Sequence, residues 1–298
     1  MKRIVLILAL AFSYVYTGSA QSTPELLGVI NKSDLMKPPY NSWYTPTYDS
    51  YMVAPDVMTQ LKRQKINNVD ITIFLGTWCA DAQREVPRFM KILSDMGFPE
   101  DRVKIIGVAS EVSKYKQSPT REEFGLHIYR IPTFIISRDG KEVNRIIEYP
   151  LTSLELDLLS ILKGEKYTSS YPSYEHIARW VDQGMLMDGN IAFKGLANQI
   201  KPLVNGVPDL GTITSVFMAI GKRNEAANLA KIMYYLFPND EFYYMWYARL
   251  LITNEEYEAA IQIMLNALAK ETNVDRIQEI LAYYNQARDA ARDAVENK

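Results

Sequence analysis

Apolar positions along this chain fall into two regimes. Between Asp56 and Gly164 short apolar runs alternate with amphipathic stretches, whereas beyond Pro172 only helical spacing remains. Ile71–Leu75 is an unbroken apolar or β-branched run and reads as a buried strand. Gly76-Thr77 follows as a break, and Ala82 onward is an amphipathic helix with Val86, Phe89, Met90, Leu93 and Met96 on one face. Asp56–Asn67 reads as a helix ahead of this unit and Arg102–Ala109 as a second buried strand behind it. Thr120-Arg121-Glu122-Glu123 has the capping-box spacing, which predicts a short helix ending by Gly125. Tyr129–Ile136 reads as a strand entered through proline. Asp139-Gly140 is a hairpin turn, Glu142–Glu148 an edge strand, and Leu151–Leu162 a closing helix. Together these predict an α/β unit, a mixed sheet covered on both faces.

Lys163–Pro172 has the polar, small-residue composition of a linker. Beyond it, residues 207–240 and 241–274 align at a spacing of 34, with Ala226 on Ala260, Leu229 on Ile263 and Val216 on Leu250. Each unit reads as helix, turn, helix, and small residues at Ala226, Ala260 and Ala267 mark close helix approach. These units resemble tetratricopeptide repeats, with Met233 at one small position and Thr272 in place of the closing proline. The resemblance implies an all-α helical domain that can hold a protein partner. Asp275–Val295 would cover the end of the stack, and residues 173–206 read as a helical connection. The aromatic runs Tyr234–Phe237 and Phe242–Tyr247 read as helix packing, with a tyrosine-lined partner groove as the other reading. At the other end Pro24–Leu35 reads as a short helix. Pro38, Pro39, Pro46 and Pro55 then predict an extended, aromatic segment that either packs on the next domain or forms a ledge beside Cys79.

Composition adds compartment and exclusions. Lys2-Arg3, the apolar run Ile4–Phe12 and Thr17-Gly18-Ser19-Ala20 form a signal-peptide pattern that predicts cleavage after Ala20 and export to a periplasm or the outside. No later segment approaches the ~20 apolar residues a bilayer requires, and no cysteine near the cleavage site offers a lipid anchor. The formal charge of −2 comes with no basic stripe, which argues against nucleic acid. His127 and His176 have no cysteine or carboxylate at ligand spacing, so no metal is assigned, and His127 reads as a surface histidine. No phosphate loop, dinucleotide fingerprint or nucleophile elbow is found, and no cofactor is expected. The organisation expected is residues 1–20 signal peptide, 21–55 aromatic segment, 56–164 α/β domain, 165–206 connection and 207–298 helical repeats.

The candidate chemistry lies at the only cysteine, Cys79. It falls at a strand-to-helix junction, where unsatisfied amides and the helix dipole favour a thiolate. Asp81 opposes this from two residues away, so the expectation is a thiol pKa moderately below the free value of ~8.5. A lone cysteine in an exported chain is buried and inert, paired with another molecule, or reactive.

Trp78-Cys79-Ala80-Asp81-Ala82 resembles the W-C-x-x-C motif of the thioredoxin family. Pro87 matches the family's helix-kinking proline, and Ile131-Pro132-Thr133 resembles its cis-proline loop. The resemblance spans roughly residues 56–164 and implies a thioredoxin-like fold followed by the helical region. It also implies a site lined by Thr77, Trp78, Ala80, Asp81 and Ala82, with Pro132 cis and the backbones of Ile131 and Thr133 offered to a client. Ala82 stands where the family has its resolving cysteine, and Ile73 where it has a buried acid. The implied activity is that of a monothiol. Cys79 would form mixed disulfides with a client polypeptide or small thiol, and an external thiol would complete turnover. A non-catalytic binding or scaffold protein is the alternative.

Overall fold

The computed structural model describes residues 24–296 except 189, 205, 207 and 238–240. The signal-peptide pattern and Pro238–Asp240 therefore lie outside the described residues, as do the side chains of Phe242 and Tyr243. Among the described residues five strands form one mixed sheet: β1 (Gly28–Ile30), β2 (Val69–Leu75), β3 (Val103–Gly107), β4 (Thr133–Arg138) and β5 (Lys141–Ile147), in the order β1-β3-β2-β4-β5. Only β2 and β3 run parallel; Ile73 of β2 pairs with Ile105 on one side and Phe134 on the other. The parallel pair needs a crossover, and α4 (Ala80–Met96) supplies it. Asp139 and Gly140 join β4 to β5 with left-handed φ angles of 52° and 73°, as a tight hairpin requires.

The two sheet faces differ. Ile71, Ile73 and Leu75 point into a core with Val86, Phe89 and Leu93 of α4 and Leu158 of α5 (Leu154–Lys163), where the rings of Phe89 and Phe134 lie 4.3 Å apart. Phe74, Ile106 and Ile135 point the other way, onto Ile128 and Ile131. That face is covered by the loop between β3 and β4. The helix expected at Thr120–Gly125 is absent from it. Glu122 and Glu123 turn their carboxylates back onto Ser118 (2.6 and 2.5 Å), and Arg121 adopts a φ of 61°, which no helix accommodates.

The N-terminal segment also departs from expectation. Gly28–Ile30 is a strand, with helix left only over α1 (Lys32–Leu35), and residues expected to be extended form α2 (Asn41–Ser50) around Pro46. Pro46 costs a backbone hydrogen bond. Burial of Tyr40 and Tyr44 to 6 % and 1 % exposure offsets it, since tertiary packing overrides weak propensity. The next helix, α3 (Pro55–Leu61), stops six residues short of Asn67.

Residues 165–172 carry no helix or strand but are not a solvated linker. Tyr167 donates to Asp157 (2.8 Å), and Tyr171 is 3 % exposed. Helices α6 (Ser173–Asp182), α7 (Phe193–Ile200), α8 (Pro208–Ala219), α9 (Arg223–Leu236), α10 (Glu241–Thr253), α11 (Tyr257–Leu268) and α12 (Val274–Glu296) follow. From α8 onward each helix packs on the next. The starts of α9 and α11, at 223 and 257, differ by 34, and Ala226 and Ala260 are fully buried where helices meet. Tyr129 and Ile147 share a core with α6 to α9, so apolar packing runs from the sheet into the helical region. No helix among the described residues is long and apolar enough to cross a membrane.

Candidate functional site

Cys79 is the N-cap of α4, with extended backbone (φ −89°, ψ 121°) and its carbonyl accepting the amide of Gln83. Gly76 makes this junction possible. A Cβ there would lie 2.6 Å from the Trp78 ring and 2.8 Å from Ile131. Trp78 folds over that gap and donates its indole N–H to the Val108 carbonyl (2.9 Å). Thr77 is buried, its hydroxyl accepting from the Leu26 amide (3.3 Å) and its carbonyl accepting from Gln83 (2.8 Å).

The half-buried thiol of Cys79 faces the Ile131 carbonyl at 3.5 Å, and the Ile131-Pro132 bond is cis. Pro132's own carbonyl accepts the Glu148 amide (2.6 Å). Thr133 sits in the sheet between Phe74 and Ile147, its hydroxyl on the Arg130 carbonyl (2.7 Å). Ala80 is exposed, Asp81 pairs with Arg84 (2.7 Å), and Ala82 is fully buried. Position 82, where the resemblance would place a second cysteine, is thus sealed in the core.

The electrostatics correct the expected thiol. Burial against Phe74 and Ile131 pushes the Cys79 pKa above its ordinary value. The amides of Ala82 and Asp81 pull it back only in part; the Asp81 carboxylate raises it and Lys116 lowers it. Loss of hydration outweighs the helix terminus. Cys79 is a neutral thiol at pH 7.

Lys116 and Tyr115, which local patterning does not flag, interact electrostatically with this thiol, and the Arg130–Glu148 pair acts in turn on both of them. Lys116 is 5 % exposed on left-handed backbone (φ 58°), donates to the Tyr129 carbonyl (2.7 Å), and lies 4.9 Å from the Tyr115 ring centroid. Tyr115 in turn sits 6.0 Å from Trp78. Burial, with Arg130 adding to it, lowers Lys116 to about 7. Arg130 Nη1 donates to both carboxylate oxygens of Glu148 (2.7 Å each), with Tyr174 accepting from Arg130 Nε at 2.7 Å and Tyr171 donating to Glu148. Burial pushes the Glu148 carboxyl up, and Arg130 holds it back.

Compared with family models, curated proteins and solved structures, this chain finds no match. His127 is a bridge and not a surface histidine: its ring nitrogens meet the Tyr129 hydroxyl and Asp182 of α6, each at 2.9 Å. Among the described residues no group of three or more histidine, cysteine or carboxylate side chains could hold a metal. Chemically, the arrangement offers one nucleophile at a helix terminus, a peptide carbonyl beside it and a buried cation nearby. Lys116, Tyr115, Arg130 and Glu148 stand in no local motif, and only the fold brings them to the loop that carries Ile131-Pro132.

Proposed function

We propose that this chain is an exported thioredoxin-like protein in which Cys79 forms mixed disulfides with a client polypeptide or small thiol. The observation that carries this reading is the Cys79 thiol at the mouth of α4, 3.5 Å from the Ile131 carbonyl in a cis Ile-Pro loop. The crossover β2-α4-β3, the β4-β5 hairpin and α5 support a thioredoxin-like fold, and the 34-residue spacing of α9 and α11 supports tetratricopeptide-like repeats that hold a protein partner.

In exchange, the Cys79 thiolate attacks one sulfur of a client disulfide and the other client sulfur leaves as thiolate. Ala82 offers no second sulfur. Cys79 is freed when another thiol, external or the client's own, attacks the client-side sulfur of the mixed disulfide. The new disulfide then belongs to the attacker and the client. The chain isomerises or captures disulfides and does not by itself reduce them. Because the free thiol is neutral at pH 7, exchange is slow there and accelerates with alkali.

The raised thiol pKa favours a second reading, a docking module whose sulfur is a packed side chain. Incubation with oxidised glutathione from pH 7 to 9.5, followed by intact mass, separates the two. The exchange reading expects an adduct that forms faster as pH rises and is lost in Cys79→Ser. No adduct at any pH on the folded chain leaves the docking module.

A further inference from the structure

Lys116 and Cys79 anchor to one short run of chain. The lysine ammonium lies on the Tyr129 carbonyl and the cysteine thiol on the Ile131 carbonyl, two residues along. The residue after Lys116 is also fixed, since the Gln117 side chain donates to the Ala219 carbonyl at the end of α8 (3.0 Å). The turn carrying Lys116 is therefore fixed at two points, by the lysine on the loop ahead of β4 and by Gln117 on the end of α8.

We propose that Lys116 is a positioning residue of the Cys79 site, whose ammonium stabilises the sulfur anion as it forms during exchange. The inference rests on the exchange reading above. Buried charges interact strongly because little water screens them, and each of the two groups acts electrostatically on the other. Facing Lys116 are Arg130, which disfavours its charge, Glu148 and Cys79, which favour it, and the Tyr115 ring from its own loop. Arg121, Glu123, His127, Asp182 and Lys222 line the cavity of about 280 Å³ beside it. Facing Cys79 are Asp81, Lys116 and Tyr115.

With the lysine near 7 and the thiol above its free value, protonated lysine with thiolate holds the same number of protons as neutral amine with thiol. Such a pair titrates as a unit. Near pH 7 the reactive form is the first of these, in which the proton resides on Lys116 and the electron pair on sulfur. Losing the lysine removes that form and leaves the thiolate without a nearby cation.

The test is the rate of Cys79 alkylation by iodoacetamide from pH 6 to 10 in the full chain, in wild type, Lys116→Met and Lys116→Arg. A coupling of about half to one pH unit predicts a two- to fivefold lower rate at pH 7 in Lys116→Met, the rate recovering toward wild type at pH 10, with Lys116→Arg near wild type at pH 7. A Lys116→Met profile that overlays the wild type overturns the proposal while the exchange reading stands. A wild type that forms neither this adduct nor the glutathione adduct overturns the exchange reading itself. Should Lys116→Met fail to fold, the wild-type profile itself decides: where the ammonium aids the thiolate, the logarithm of the alkylation rate rises with unit slope on either side of the lysine midpoint near 7 and more shallowly through it, and an unbroken unit slope from pH 6 to 8 refutes the link.

Discussion

Replacing Lys116 by methionine should make the protein more stable at neutral pH, and the gain should disappear in alkali. Methionine keeps the length and loses the charge. In the unfolded chain the lysine holds its proton up to its ordinary value of 10.5, but in the fold only up to about 7. Above 10.5 both states are neutral. As pH falls from there to 7 the unfolded state binds a proton the folded state refuses, so the wild type loses stability throughout that window and no further below it. At 1.36 kcal/mol per pH unit the gap of about 3.5 is worth about 4–5 kcal/mol at pH 7. The Tyr129 carbonyl loses its donor in the variant, at about 1–3 kcal/mol independent of pH. Lys116→Met should therefore exceed the wild type by about 2 kcal/mol at pH 7, and the difference should move by about 3 kcal/mol against the variant by pH 9.5. Urea unfolding of both proteins at matched pH measures this. The titrations of buried tyrosines such as Tyr44 and Tyr129, both pushed up by burial, are common to the two proteins and cancel in the difference, and carrying Cys79→Ser in both removes the coupling of the thiol to Lys116. Parallel stability curves for the two proteins would refute the reasoning, because they would mean that Lys116 keeps its proton in the fold.

Glu148→Ala strands the Arg130 guanidinium among Tyr171 and Tyr174 and should cost about 3 kcal/mol, read as a lower urea midpoint. Replacing both partners by methionine should recover most of the loss, and a single-variant cost under about 1 kcal/mol would show the pair to be solvated. Phe89→Ala opens the core against Phe134 and should cost about 3–5 kcal/mol by the same measurement, with a value near zero excluding the packing described. Gly107→Ala places a Cβ 1.9 Å from the Leu26 carbonyl, so β1 must leave β3; limited proteolysis should then cut ahead of α1, and an unchanged digest would contradict that contact.

The elements that the sequence revealed are those whose pattern is long and self-sufficient. Strand β2, α4 with its apolar face, the Asp139-Gly140 hairpin and the 34-residue spacing of α9 and α11 each state their period within one stretch of chain. The elements that escaped depend on distant partners. Gly28–Ile30 is too short to show a period and becomes a strand because Gly107 lets the Leu26 backbone approach β3. Asn41–Ser50 is helical against its prolines because Tyr40 and Tyr44 find burial in the fold. Thr120–Glu123 has the letters of a capping box, yet its acids serve Ser118. The site divides along the same line. Trp78, Cys79 and Ile131-Pro132 are local motifs and were legible, while Lys116 and Glu148 join them only through the folded sheet.

That division explains why the expected sign of the Cys79 shift was wrong. The terms that favour a thiolate, the amides of Asp81 and Ala82 and the helix terminus, are written in the residues next to the sulfur. The term that opposes it is the packing of Phe74 and Ile131 around the thiol, which exists only once β2 and the proline loop are brought together. Desolvation scales with what surrounds an atom in space, and the cation that offsets it in part, Lys116, belongs to a loop held by α8. The reactivity of this thiol is accordingly set by tertiary structure more than by its motif. A partner that shifts α8 would act on Cys79 through Gln117 and Lys116, without touching any of the residues from Trp78 to Ala82.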